Sequence, residues 1–324
     1  MSFWKRSPIE PPVDRWDAVL ALLFPAGLSD GQHAIVQASV AGAQPSVEAA
    51  RVALGSLDHQ SAPSPVTIRW GLDDLQYIEL DGIRLALDRA DASVSIQIAE
   101  GAYEPHVAAT LDRLFSPGDV FVDVGANVGY HTVRASRAVG PEGCVIAVEA
   151  NSENARLIAH TVETNGLTNV EIVPVALSGH RGHVVFGTHV GSNGGFLDVA
   201  STASGRGTLV PTFALDDLGF DRVSVVKIDV EGAEALVVDG CTEIIRRDRP
   251  TFVMEFSLEM TSRVSQRQPR EHLDRFVEWG YSIAIIDRTT STPQQVSSVD
   301  EMLADWGDFL RIEDLLLVPL ERSG

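Results

Sequence analysis

Acidic residues recur where apolar segments of this chain end. The segment VKIDVEGAE carries Asp229, Glu231 and Glu234 within six residues, directly after a run of strand-forming residues. Three other apolar runs end in the same way, at Asp123, Glu149 and Glu255. Open α/β sheets bind ligands beyond the carboxyl ends of their strands. The spacing therefore predicts one shared acidic site at the edge of a sheet.

The segment DVGANVG adds a glycine turn to this site. Gly125 and Gly129 let the backbone pass close to a ligand at the start of a helix, and their spacing differs from the G-x-G-x-x-G of dinucleotide-binding folds. Asp123 precedes the turn, so its charge favours a cationic or zwitterionic ligand over a pyrophosphate. Glu149 follows Gly125 by 24 residues. A carboxylate at that place can accept hydrogen bonds from both hydroxyls of an adenosine ribose.

The elements that position these acids alternate between strand and helix. This alternation predicts a doubly wound, mostly parallel sheet. The predicted strands cover residues 120–123, 144–149, 170–176, 223–229 and 251–256, with one helix face running from Ala233 to Ile244. Two final strands, 281–286 and 314–320, are expected to pair as an antiparallel ribbon at the sheet edge.

The chain divides into two predicted regions. Residues 1–65 predict a helical N-terminal extension, which ends at the loop SAPSP. Residues 66–324 form the main domain, with a β-hairpin at 76–88 around Asp-Gly and a core at 103–320.

Composition narrows the class of protein. The 324 residues include 45 acids and 25 bases, for a formal net charge of −20. This balance disfavours binding to nucleic acid and to anionic membranes. Cys144 and Cys241 are too few for a disulfide framework and lack metal-site spacing, so we expect reduced thiols. Without a signal-peptide pattern or a membrane-spanning apolar run, we expect a cytoplasmic protein.

Three segments carry a family resemblance: GDVFVDVGANVGYHT, CVIAVEANSENARLIAHTVETNGL and VSVVKIDVEGAEALVVDG. They closely resemble the FkbM family of S-adenosylmethionine-dependent O-methyltransferases. The resemblance runs from Tyr103 to Pro319. It implies a class I methyltransferase-type, Rossmann-like α/β fold with a seven-stranded sheet and an antiparallel C-terminal strand. It also implies S-adenosylmethionine as the cofactor.

The same resemblance implies which residues hold that cofactor. Its methionine end would be held by Asp123, Gly125, Asn127 and Gly129. Glu149 would bind the ribose. Further cofactor contacts are implied for Ala150, which would line the adenosine site, for Val175 and Ala176, which would flank adenine, and for Tyr103 and Glu104.

Asp229 is the leading candidate for a catalytic role. An alcohol is a poor nucleophile until its proton is leaving, so a positioned base matters. The Asp229 carboxylate could contact the cofactor's ammonium, orient the acceptor hydroxyl or take its proton. Glu231 and Glu255 are further catalytic candidates, whereas Glu234 is interpreted as structural.

Weaker candidates surround these acids. Asp229, Glu231 and Glu255 could supply oxygen ligands to Mg²⁺, but without metal-specific spacing we predict no metal. His131 could approach the cofactor or pack at a helix start, and the glycines at 194 and 195 could form the hinge of a lid. Three loop histidines are interpreted as solvated: His180, His183 and His189.

Together these patterns predict an enzyme that methylates a hydroxyl of a sugar, glycan or natural product. The expected partner is such an acceptor, with no nucleic acid and no membrane, and with self-association through the N-terminal helices. Two alternatives stay open: a non-catalytic scaffold that binds the cofactor, and a nicotinamide-dependent oxidoreductase. The missing G-x-G-x-x-G argues against the second.

Overall fold

The computed structural model describes residues 75–89, 91, 93–188, 194–196 and 208–322. The predicted helical extension at 1–65, its boundary and His189 lie outside these residues. The chain divides into two units between Asp73 and Asp74, and the described residues belong to the second. No helix within the described ranges is both long and apolar enough to cross a bilayer.

Strands of the described residues form three sheets. In chain order they are β1 (Leu75–Leu80), β2 (Ile83–Asp88), β3 (Val120–Val124), β4 (Cys144–Val148), β5 (Val170–Val173), β6 (Ala176–Leu177), β7 (Gly182–Thr188), β8 (Gly194–Phe196), β9 (Thr208–Phe213), β10 (Val225–Ile228), β11 (Thr251–Ser257), β12 (Tyr281–Ile286), β13 (Pro293–Gln295) and β14 (Ile312–Pro319). The pair β1–β2 is the hairpin expected around Asp-Gly.

Helices connect most of these strands. In the described part of the chain they are α1 (Val94–Ala99), α2 (Pro105–Leu114), α3 (Tyr130–Val139), α4 (Ser152–Asn165), α5 (Glu234–Asp239), α6 (Thr242–Asp248), α7 (Leu258–Met260), α8 (Pro269–Glu278) and α9 (Val299–Ala304). Shorter helical turns cover Leu215–Leu218, Thr261–Ser265 and Leu320–Arg322.

The central sheet has the strand order β13-β12-β14-β11-β10-β3-β4-β5. Five neighbouring strands of this sheet run parallel: β11, β10, β3, β4 and β5. Strand β14 lies between β11 and β12 and runs antiparallel to both. This confirms the doubly wound α/β fold with an antiparallel C-terminal strand. The predicted count of seven is wrong, because the short edge strand β13 pairs with β12 and makes eight. The two final strands do pair antiparallel as expected, but they do not form the edge of the sheet, because β14 lies between β11 and β12 and β13 lies outside β12.

Two other predicted elements are interrupted. The strand expected at 170–176 stops at Val173, because Pro174 has no N–H to continue the ladder. Beyond it, β6 joins a second sheet in the order β6-β9-β7-β8. The single helix expected after the VKIDVEGAE segment is split into α5 and α6 at Gly240, whose missing Cβ would lie 2.3 Å from the Ser178 carbonyl oxygen.

Both faces of the central sheet are buried. Successive strand residues point to opposite faces. One face packs against α5, α6 and α8 through Val122, Val226 and Phe252. The other packs against α2 and α3 through Phe121, Val225 and Val253. Covering both faces leaves the carboxyl ends of the strands as the place where polar side chains can meet a ligand.

Gly125 lets the turn after β3 pass against the end of β10. Its φ is +77°, and a Cβ there would lie 1.8 Å from the Asp229 carbonyl oxygen. Gly118 provides a matched comparison, because its φ is +89° and a Cβ would meet nothing within 4 Å. Comparing substitutions at these two glycines therefore separates the cost of a left-handed backbone from the cost of a steric clash.

We expect Gly118→Ala to lower the free energy of unfolding by about 1–2 kcal/mol, the cost of left-handed backbone alone. Gly125→Ala should cost clearly more, because it adds a backbone clash with Asp229. Urea unfolding of both variants measures the difference. Equal losses would show that the approach to Asp229 imposes no constraint.

Candidate active site

A cleft of about 350 Å³ opens at the carboxyl edge of the central sheet. Its wall includes most of the residues that the sequence predicted for the site. These are Tyr103, Glu104, Gly125, Asn127, Glu149, Ala150, Val175, Ala176, Asp229, Glu231 and Glu255. The fold therefore brings together acids from the ends of β4, β10 and β11 with the turn that follows β3.

Asp123 and Gly129 do not line the cleft. Asp123 is fully buried, and its Oδ2 accepts a hydrogen bond of 2.7 Å from Thr132 Oγ1. Its Oδ1 is buried and has no hydrogen-bond partner in the part of the chain that the structure describes. Gly129 begins α3 and lies against Ile158. Both residues therefore pack beneath the turn that follows β3 and do not face the cleft.

Glu149 ties two segments of the cleft together. One carboxylate oxygen accepts a hydrogen bond of 2.7 Å from the Asn127 N–H, and the other accepts one of 2.7 Å from the Asn151 N–H. The first bond holds the glycine turn, and the second holds the start of α4. Burial raises the pKa of Glu149 to about 7, although both hydrogen bonds oppose this shift.

Lys227 is a buried cation that the sequence reasoning missed. It lies on β10 directly beside Asp123 of β3, and its Nζ is 3.0 Å from Asp229 Oδ2. Burial lowers its pKa, but the nearby carboxylates of Asp229, Glu104 and Asp123 outweigh burial and raise the pKa above its ordinary value. The available signal was a lysine inside an apolar strand, which is rarely buried unless it is paired.

Glu104 faces Lys227 from the other side of the cleft floor. Its Oε2 is 2.8 Å from His131 Nε2, and its backbone is left-handed with a φ of 40°. Burial raises its pKa, but the charge of Lys227 and the bond to His131 prevail and lower the pKa to about 2. Tyr103 packs edge-on against Tyr130 beside this pair.

The remaining acids share the other end of the cleft. Burial raises the pKa of Glu231 to about 7, with further repulsion from Asp229, and raises that of Glu255 well above its ordinary value. The pKa of Asp229 is also raised by burial, although Lys227 opposes the shift. Glu234 has a structural role, because its Oε1 accepts from the N–H groups of Val230 and Gly232.

The polar residues of the cleft that were absent from the sequence prediction include His106, Asp314 and Arg288. His106 Nε2 lies 2.7 Å from Asp314 Oδ2, and Arg288 Nη2 lies 3.6 Å from the same oxygen. His106 lies shortly after Glu104, Asp314 lies near the start of β14, and Arg288 lies just after β12. The three residues are therefore far apart in the sequence. No local motif joins them.

The weaker candidates are placed differently. His131 is buried against Glu104, whereas His180 and His183 are exposed and do not line the cleft. Gly194 and Gly195 do line it, as part of strand β8. No group of three or more His, Cys, Asp or Glu within the described ranges is arranged to hold a metal ion.

The fold is of the class I methyltransferase type: a doubly wound sheet, one antiparallel strand inserted near its edge, and an acidic cleft at the carboxyl ends. Residues 123–283 match the family model described as the Methyltransferase FkbM domain. This part of the chain is thus similar to methyltransferase domains of the FkbM family, which supports S-adenosylmethionine as the cofactor.

Solved structures with a similar arrangement were also found. The methyltransferase FkbM from Methylobacillus flagellatus KT is 14% identical, with 63% of this chain and 44% of that chain covered and a TM-score of 0.40. A SAM-dependent O-methyltransferase from Thermotoga maritima is 15% identical, with coverage of 77% and 79% and a TM-score of 0.38. M. jannaschii TYW2 in complex with AdoMet is 15% identical, with coverage of 76% and 86% and a TM-score of 0.42. No curated protein matches the sequence. The family assignment therefore rests on the domain match.

Removing the charge of Lys227 should strongly destabilise the protein. Lys227→Met leaves Asp229 and Glu104 without their buried cation, for an expected loss of about 3–5 kcal/mol in the free energy of unfolding. Adding Asp229→Asn should recover part of that loss. Arg246→Met is the control, because its ion pair with Glu243 is exposed and should contribute at most about 1 kcal/mol. Urea unfolding would contradict the expectation if both single variants lost the same free energy.

Glu149 should make stability fall as the pH rises. Its pKa is about 7 in the folded protein against an ordinary 4.5, so between these values the folded state holds more protons than the unfolded state. Raising the pH through this window should therefore lower the stability of wild type relative to Glu149→Gln, by at most about 3 kcal/mol. Unfolding curves across the window measure this difference. The exposed Glu163→Gln should show no such trend, and a flat difference for Glu149→Gln would disprove the raised pKa.

Proposed function

We propose that the protein transfers a methyl group from S-adenosylmethionine to a hydroxyl oxygen of a sugar, a glycan or a natural product. The observation that carries this proposal is the placement of three carboxyl groups beside the cofactor turn. Asp229, Glu231 and Glu255 line the same cleft as Gly125 and Glu149. Carboxyl groups are good partners for hydroxyl donors, and their number disfavours an anionic acceptor.

The residues of the cleft fit the proposed cofactor. S-adenosylmethionine supplies a methyl group on a positively charged sulfur, and the cleft floor holds more carboxylates than cations. Glu149 is placed at the end of β4 to accept the ribose hydroxyls. Asp229 and Glu104 are suited to the ammonium group, while Asp123 reinforces the negative field from below. Gly125 lines the same cleft, so its backbone can contact a ligand directly.

The acids beyond the cofactor turn suit the acceptor. Asp229 is held by Lys227 at 3.0 Å, so its carboxylate is fixed in position. Glu231 and Glu255 can hydrogen-bond an acceptor hydroxyl and hold its oxygen in line with the methyl group. Such positioning accounts for much of the acceleration in a displacement that needs no covalent intermediate. Removal of the hydroxyl proton by a positioned base supplies the rest.

We also propose that the enzyme works in the cytoplasm, without a nucleic-acid or membrane partner. The net charge of −20 supports this, since it opposes binding to polyanions. The sequence contains only two cysteines, Cys144 and Cys241, which are too few for the disulfide framework of a small secreted domain.

Calorimetric titration with S-adenosylhomocysteine tests the cofactor site. We expect saturable binding by wild type at a pH above the Glu149 pKa. Glu149→Gln should weaken it by roughly 10-fold or more, because a hydrogen bond to a charged group contributes about 1.5–3 kcal/mol. The surface variant Glu163→Gln should bind like wild type.

Transfer of labelled methyl groups to methyl glycosides tests the acceptor class. Labelled product that depends on Asp229 and Glu255 would support O-methylation. Absence of cofactor binding by correctly folded wild type would overturn the enzyme proposal. Cofactor binding with labelling confined to nitrogen or carbon acceptors would overturn O-methylation alone.

A further inference from the structure

The cleft has two halves that follow the strand order. The turn after β3 and the ends of β4 and β5 supply the residues suited to the cofactor. The other half lies over β10, β11 and the antiparallel β14. It contains His106 and Asp314, for which the cofactor has no evident use. A buried histidine–carboxylate pair that faces a reaction cleft is a candidate for proton transfer.

The pair is held rigidly. His106 is the second residue of α2, and its Nε2 is 2.7 Å from Asp314 Oδ2. Their side chains are only 7% and 13% exposed. Asp314 lies directly opposite Glu255 in the β11–β14 ladder, so the two side chains emerge on the same face, roughly 5 Å apart at Cβ. His106 is thereby anchored next to the acids of the acceptor half.

The hydrogen bond determines which nitrogen can act as a base. A carboxylate only accepts hydrogen bonds, so Nε2 carries the proton and donates a hydrogen bond to Asp314. Nδ1 is then the unprotonated, basic nitrogen. Within the described residues, no hydrogen bond to Nδ1 is found. Arg288 lies 3.6 Å from the same Asp314 oxygen and gives that carboxylate a second cationic neighbour.

We propose that His106 is the base that takes the proton of the acceptor hydroxyl, with Asp314 as its positioning residue. This inference rests on the methyl transfer proposed above. The hydroxyl proton passes to Nδ1 while an oxygen electron pair forms the bond to the methyl carbon. The pair of the broken methyl–sulfur bond stays on sulfur. The imidazolium that results is stabilised by Asp314 through Nε2–H.

The neighbouring carboxyl groups are less suited to this step. The Asp229 carboxylate already forms an ion pair with the Lys227 ammonium. Burial raises the pKa of Glu255 well above its ordinary value, which disfavours the charged form that a base needs. The charged or titratable groups that face His106 are Asp314, Glu255 and Arg288 from the sheet and Glu104 from its own helix start.

The first test is the tautomer of His106, read from long-range ¹H–¹⁵N spectra of histidine-labelled protein saturated with S-adenosylhomocysteine. The His106 signals are those that disappear in His106→Gln. We expect the proton on Nε2 in wild type. A proton on Nδ1 in wild type overturns the proposal.

The second test separates proton transfer from binding. His106→Gln should bind S-adenosylhomocysteine like wild type. With whichever methyl glycoside wild type methylates, it should lower kcat by on the order of 100-fold. Asp314→Asn should shift the pH profile of kcat rather than KM. His160→Gln is the matched control, because its Nε2 also bonds a side chain, Tyr77 Oη at 2.6 Å, outside the cleft.

The outcomes distinguish this inference from the proposed function. If wild type fails to bind S-adenosylhomocysteine, the proposed function is overturned. If wild type binds it and His106→Gln keeps the wild-type kcat, only the role of His106 is overturned. The role of His106 and Asp314 is supported if His106→Gln binds S-adenosylhomocysteine but loses kcat, and if wild-type His106 carries its proton on Nε2.

Discussion

A single buried ammonium group makes the acidic cleft compatible with a folded protein. Lys227 points from β10 into a region that also contains Asp229, Glu104 and Asp123, and it bonds the first of these at 3.0 Å. Carboxylates removed from water repel one another, and each must be paired, hydrogen-bonded or protonated. Lys227 supplies the pairing at the floor of the cleft. Burial raises the pKa values of Glu231 and Glu255, as it does that of Asp229.

Hydrogen bonds from side chains hold the strained backbone around this cation. Three non-glycine residues of the cleft have positive φ: Glu104, Asn127 and Glu231. Such conformations cost free energy and persist only where the surroundings impose them. The Glu149 carboxylate binds the Asn127 N–H, and His131 binds the side chain of Glu104. Glu234 fixes the turn at Glu231 by accepting from the adjacent N–H groups. The cleft is thus shaped before any ligand binds.

The direction of β14 determines what the acceptor half contains. Because β14 runs antiparallel to β11, its first residues, rather than its last, lie at the carboxyl edge of the sheet. This places Asp314 opposite Glu255 and within reach of His106 at the start of α2. A parallel strand of the same sequence would present Pro319 there instead. The antiparallel insertion therefore adds a histidine–aspartate pair to a cleft otherwise built from strand-end acids.

The sequence by itself determined the parts of this protein that depend on local pattern. Apolar runs that end in Asp or Glu predicted where Glu149, Asp229 and Glu255 would lie, because parallel strands share one carboxyl edge. The tertiary structure decided what depends on register and strand order between distant segments. His106 and Asp314 are 208 residues apart, so no periodicity or spacing could pair them. The position of Lys227 beside Asp123 likewise follows from the β10–β3 register. Local propensity sets the elements, whereas contacts between remote elements set the charges that a ligand meets.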